Sequence, residues 1–141
     1  MHTRLGIDRR RGIGLAGGVA LLITACAGGS TAATDATGIA EQDAQLVEIG
    51  AGLYPANCAE CHGTDLRGTD KGPSHLSVVY EPNHHGDGAF VLAIQRGVRS
   101  HHWPFGDMEP DEGLTQEDVT AIIAYVREQQ RIQGFEPYPP P

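Results

Sequence analysis

Cys58-Ala59-Glu60-Cys61-His62 is the stretch on which the reading of this 141-residue chain turns. Two thiols three residues apart, followed at once by an imidazole, match the spacing of covalent c-type haem attachment. In that chemistry the thiols add across two vinyl groups as thioethers and the next residue offers a nitrogen to the iron. Other uses of a C-x-x-C pair fit less well. A thioredoxin-like dithiol needs a βαβ setting, and nothing around the motif has that pattern. A zinc site needs two further cysteines, whereas the chain holds one other, Cys26. One covalent haem c is therefore the expected cofactor, with Cys58 and Cys61 as its anchors and His62 as an iron ligand.

The segments around the motif read as helices. Leu46, Ile49, Gly50 and Leu53 stand at i, i+3, i+4 and i+7 and predict a helix from Ala44 that ends near Tyr54-Pro55, because a proline biases the residue before it out of the α region. Phe90, Ala93, Ile94 and Gly97 predict a second helix over 88–96, with Asp87 as N-cap and Gly97 as its stop. The third is the clearest: Thr115 and Asp118 approximate a capping box, Val119, Ile122, Ile123 and Val126 form one face, and Gly134 ends it. No stretch alternates for long enough to argue for a sheet. The expected class is all-α: three main helices and long loops. Residues 58–86, rich in Gly and Pro, form the longest loop, with His75 expected at its surface. So small a unit, residues 44–134, is marginal on its own side chains, and the haem is expected to fill its middle.

The N-terminus reads as an address. Arg4, Arg9, Arg10 and Arg11 precede a short apolar run, interrupted by Gly14, Gly17 and Gly18 and too short to span a bilayer comfortably. It ends Leu22-Ile23-Thr24-Ala25-Cys26, which resembles the lipobox of bacterial lipoproteins. Residues 1–25 are thus expected to be a lipoprotein signal peptide, Cys26 the lipid-bearing new N-terminus, residues 26–43 a flexible tether, and residues 135–141, with four prolines, an extended tail. The location implied is the periplasmic or cell-surface side of a bacterial membrane. The formal charge is −8 for the whole chain. After residue 25 six basic residues face seventeen acidic ones, a net −11 with neutral histidines. That balance argues against nucleic acid and for redox partners with a basic docking face.

In order as well as motif, residues 44 to about 133 resemble the class I cytochromes c: an N-terminal helix running into Cys58-Ala59-Glu60-Cys61-His62-Gly63, a Gly72-Pro73 pair, a distal Met108 and a closing amphipathic helix. The resemblance implies a cytochrome c-like fold and one-electron transfer, without substrate-transforming chemistry. It makes His62 the proximal and Met108 the distal iron ligand, and the Pro73 carbonyl the acceptor for the far nitrogen of His62. It also sets Gly50 and Tyr54 against Tyr125 at a close crossing of the terminal helices. Apart from the initiator, Met108 is the one methionine available, and a thioether ligand raises the potential relative to a second imidazole. Glu109 stands where the family usually has a proline. Arg99 and Trp103 are candidate donors to the haem propionates.

The pairs His84-His85 and His101-His102 are not demanded by that family. They open two alternatives. One is a haem protein that also binds copper or another metal through these four histidines, which requires residues 98–100 to double back, since the helix between the pairs is about 15 Å long. The other is a small haem peroxidase or gas-binding protein with an open sixth site; His101 or His102 could also replace Met108 on the iron.

Overall fold

The computed structural model describes residues 36–139. The expected signal peptide, Cys26 and most of the tether lie outside these residues. The described residues form four α-helices, α1 Ala44–Asn57, α2 Ala59–His62, α3 Asp87–Arg96 and α4 Gln116–Gln133, with a 3-10 turn at Val78–Tyr80. Among the described residues, pairing of the β type is confined to single-residue bridges such as Ser77 with Glu136 and Val98 with Met108. Among the described residues no helix is long and apolar enough to cross a membrane.

α4 follows its sequence signals closely. The Thr115 side chain accepts from the Asp118 amide, Asp118 returns the bond to the Thr115 amide, and Gly134 ends the helix at φ 79°. Its buried face is Val119, Ile122, Ile123 and Val126, as the periodicity requires. α1 is capped by Asp43 and runs three residues past the expected stop, with Pro55 inside its last turn. A proline there forfeits one hydrogen bond, and the amide of Cys58 still closes the turn on the Tyr54 carbonyl at 2.9 Å. α3 begins at Asp87, one residue earlier than expected, and its N-cap is Gly86 without a side-chain bond. Asp87 is instead drawn to Arg127, 2.7 Å away.

The terminal helices α1 and α4 cross closely, and Gly50 is the reason they can. A Cβ built there would fall inside the carbonyl oxygen of Ala121 and 2.8 Å from the Cβ of Tyr125. Tyr54, one turn on, packs against Tyr125 with ring centroids 5.3 Å apart. The packed body reaches beyond residues 44–134. Ile39 is buried, and the amide of Gln42 donates to Glu128 on α4. At the other end Glu136 bonds Leu76 and Val78 through its backbone, and Tyr138 meets the Trp103 ring edge to face.

A single buried cation ties α4 to the loop before α3. Arg127 donates to the carbonyls of Tyr80 at 2.7 Å and His85 at 2.6 Å, to Gln130 Oε1 at 2.7 Å and to Asp87 at 2.7 Å. Its guanidinium lies 4.9 Å from the centre of the Phe90 ring. Gln130, fully buried, passes the connection on by donating to the His75 carbonyl at 2.6 Å.

Candidate functional site

Cys58, Cys61 and His62 are carried on the end of α1 and on the single turn of α2, so one helical turn presents both thiols and the imidazole. Both cysteines are free thiols, Cys58 half-buried and Cys61 exposed. Burial, then the Asp111 charge, pushes the Cys58 thiol up to about 11, so it is held as a neutral thiol. His62 Nδ1 lies 2.9 Å from the Pro73 carbonyl oxygen. A carbonyl only accepts, so Nδ1 carries the proton and Nε2 keeps its lone pair for a metal. Burial lowers the His62 pKa, against the opposing pull of the Pro73 bond, and keeps the ring neutral.

The chain approaches itself tightly behind this motif. A Cβ on Gly72 would meet the Cβ and carbonyl of Cys61 at 3.0 Å, so glycine before Pro73 lets the chain pass close behind the motif without displacing Cys61. Gly63, at φ 78°, turns the chain out of α2. Leu66 is buried at φ 65°, a strained conformation costing about 1–3 kcal/mol. Its carbonyl, so turned, accepts from the His75 amide at 2.8 Å and from the Ser74 hydroxyl at 3.1 Å.

His75 corrects the expectation of a surface loop residue: it is buried, at 7% exposure. Its ring stacks on His62 with centroids 3.9 Å apart, and Nδ1 lies 3.0 Å from the Tyr54 hydroxyl. Burial, then the neighbouring His62 and Arg127, hold its pKa well below the ordinary imidazole value, so it is a neutral packing partner for the His62 ring. Its partners lie far away in sequence, on α1 and α4. The Tyr54 hydroxyl, pushed up chiefly by burial, stays protonated.

A cleft of about 510 Å³ opens beside the brace, lined by Gly72, Pro73, Trp103, Phe105, Tyr138 and Arg67 among others. Trp103 stands at this rim, stacked on Tyr80 at 5.5 Å. Arg99 is exposed and does not line the cleft. Arg67 does, and sequence reasoning passed it over; it is held by Glu136 at 2.9 Å and Gln133 at 3.1 Å. Met108 is 37% exposed. Its backbone pairs in both directions with Val98, at 2.8 and 2.9 Å.

That pairing folds the segment after α3 back on itself. Ser100 reinforces the turn, its amide donating to Asp107 at 2.8 Å and its hydroxyl to the Trp103 carbonyl at 2.6 Å. As a result His101 and His102 return to His84 and His85. His84 Nε2 and His102 Nε2 are 3.2 Å apart, and the rings of His101 and His102 lie 4.4 Å apart. Burial and the neighbouring imidazoles lower the pKa values of His85 and His102.

The motif, the imidazole brace and the helix crossing agree with an independent comparison of the sequence: a family model described as Cytochrome c matches residues 47–130. The chain belongs to the cytochrome c family. Its cofactor is accordingly covalent haem c, and the residues fit it, with two free thiols on one turn and an imidazole whose outer nitrogen is already tied. No curated protein sequence matches this cytochrome. Among solved structures it is similar to cytochrome cL of Methylophaga aminisulfidivorans MPT. The TM-score is 0.52 and the identity 21%, over 79% of this chain and 73% of that one. A second cytochrome cL, from Hyphomicrobium denitrificans, has a TM-score of 0.46 and 22% identity over 66% of this chain and 60% of that one. At such identity the first likeness speaks to fold alone, and it agrees with the all-α architecture.

Proposed function

We propose that this cytochrome is an exported, lipid-anchored carrier of single electrons between membrane-associated redox proteins, with His62 and Met108 as the two axial ligands of its iron. The observation that carries the reading is the His62 brace: Nδ1 fixed on the Pro73 carbonyl at 2.9 Å, so that Nε2 is aimed and available. Bound haem supplies a ferrous–ferric couple. The chain's own part is to hold both ligands in place, keep water from one side of the pocket and leave an edge open.

Several features support these roles. Stacking of His75 on His62 and the Tyr54 contact restrict rotation of the ligand ring. The loop that carries Met108 contributes Trp103 and Phe105 to the same cleft that Pro73 lines. A Cβ on Gly97 would collide with the Met108 carbonyl, so glycine at 97 lets that loop close against the end of α3. The Cys26 lipid anchor rests on the lipobox-like sequence. Seventeen carboxylates against six basic side chains after residue 25 suit a partner with a basic docking face, and association with it should weaken as salt rises.

The ligand assignment is tested by replacing Met108 with alanine. The oxidised variant is expected to lose the weak far-red sulfur-to-iron band, and its reduced form to turn partly high-spin and bind carbon monoxide. A far-red band unchanged in Met108→Ala would assign the sixth position to another side chain.

A further inference from the structure

Beyond the haem site, the folded-back segment after α3 assembles a second set of metal ligands. His84, His85 and His102 each bring a ring nitrogen within 4.8 Å of the other two. We propose that these three histidines bind one late first-row transition-metal dication, with Cu²⁺ held most tightly and His101 as the nearest candidate for a fourth ligand.

The geometry is that of ligands around a small ion. Bonds of about 2.0–2.1 Å at tetrahedral angles separate neighbouring nitrogens by roughly 3.3–3.4 Å. His84 Nε2 and His102 Nε2 stand 3.2 Å apart, already close to that edge. Without an ion, one of these two nitrogens has to spend a proton on the other; a cation takes both lone pairs at once. His85 is oriented in the manner of a metal-bound histidine. Its Nδ1 lies 2.9 Å from the Val79 carbonyl, which can only accept, so Nδ1 is the protonated nitrogen and Nε2 carries the lone pair. His101 shows the same arrangement, with Nδ1 2.9 Å from the Arg99 carbonyl.

The ligands stand on two braced segments. The amides of His84 and His85 both close on the Glu81 carbonyl at 2.9 Å, and the His85 carbonyl is gripped by buried Arg127 at 2.6 Å. On the other side the Val98–Met108 pairing sets the loop, and the Tyr138 hydroxyl donates to the His102 carbonyl at 3.0 Å. Side-chain rotation alone therefore has to draw the third nitrogen in. Three imidazoles without a thiolate or a carboxylate suit Cu²⁺, Zn²⁺ or Ni²⁺, and the usual order of affinities puts Cu²⁺ ahead.

The test is equilibrium dialysis of the haem-loaded protein against Cu²⁺, and separately Zn²⁺, in a non-coordinating buffer, for the wild type, His84→Ala and His102→Ala. The wild type is expected to retain one equivalent of Cu²⁺, with nitrogen splitting in its electron paramagnetic resonance spectrum. Loss of an outer-shell partner of a metal site typically weakens binding about 10–100-fold. Removal of a direct ligand should cost at least as much, so each variant is expected to bind more than about tenfold more weakly. An unchanged visible haem spectrum in the variants shows that they are folded and that the iron keeps its ligands. Wild type without retained metal, or variants that retain it as well as the wild type does, would overturn the site. Neither result bears on the ligands of the haem iron, which the Met108→Ala spectra report separately.

Discussion

Serine at both Cys58 and Cys61 is expected to remove essentially all covalently bound haem from the protein. The variant's polypeptide mass falls to that of the bare chain, and any residual colour is extracted by acidified organic solvent. The reason is chemical. A thioether needs sulfur, and a hydroxyl at either position does not add to a vinyl group under the same conditions, while the His62–Pro73 brace, at 2.9 Å, offers coordination but no covalent bond. The secondary effect is on folding. The hydrophobic cluster formed by Tyr54, Leu66, Leu76, Phe90 and the inner face of α4 is small, and a domain of this size is marginal without a group that adds to its core. The serine variant is therefore also expected to show a broadened thermal transition at lower temperature. Covalent haem retained in it would move the attachment elsewhere in the chain.

The second large effect is expected at Arg127, 2% exposed and far from the haem motif in sequence. Alanine there orphans the carbonyls of Tyr80 and His85, each of which now accepts a bond of 2.7 or 2.6 Å from the guanidinium. Gln130 Oε1, fully buried, loses its donor as well. At about 1–3 kcal/mol for a buried acceptor left unpaired, less for each of the two part-buried carbonyls, and with the packing over Phe90 also lost, Arg127→Ala should destabilise the haem-loaded protein by roughly 3 kcal/mol or more in denaturant unfolding. The ion pair with Asp87 contributes little to this figure, because Asp87 is 67% exposed. Asp87→Asn is accordingly expected to cost less than about 1 kcal/mol. Equal losses for the two variants would show that the ion pair, not the carbonyl bonds, carries the stability.

These two sites differ in how far they can be read from the sequence. The haem motif is local: five consecutive residues hold the thiols and the ligand, and the spacing alone implies the chemistry. α4 is legible for the same reason, its cap, its apolar face and its stop all lying within twenty residues. α1 is longer than its Pro55 suggests, because a proline in a last turn removes one bond and leaves the next amide free to close on Tyr54. His75 and Arg127 are the opposite case. Each is a polar side chain whose own segment does not announce burial, and each is buried by partners from other elements: Tyr54 and Gln130 for His75, Tyr80 and His85 for Arg127. The sequence pattern also left open whether the two histidine pairs meet. That depends on the reversal at Val98 and Met108, a backbone pairing with no side-chain signature.

The central claim, one haem covalently held by Cys58 and Cys61 and ligated by His62, is tested most directly by a pyridine haemochrome spectrum of the purified protein after extraction with acidified acetone. One c-type haem per chain that stays with the polypeptide is the predicted result. A colourless folded protein, or haem that leaves with the solvent, would contradict it.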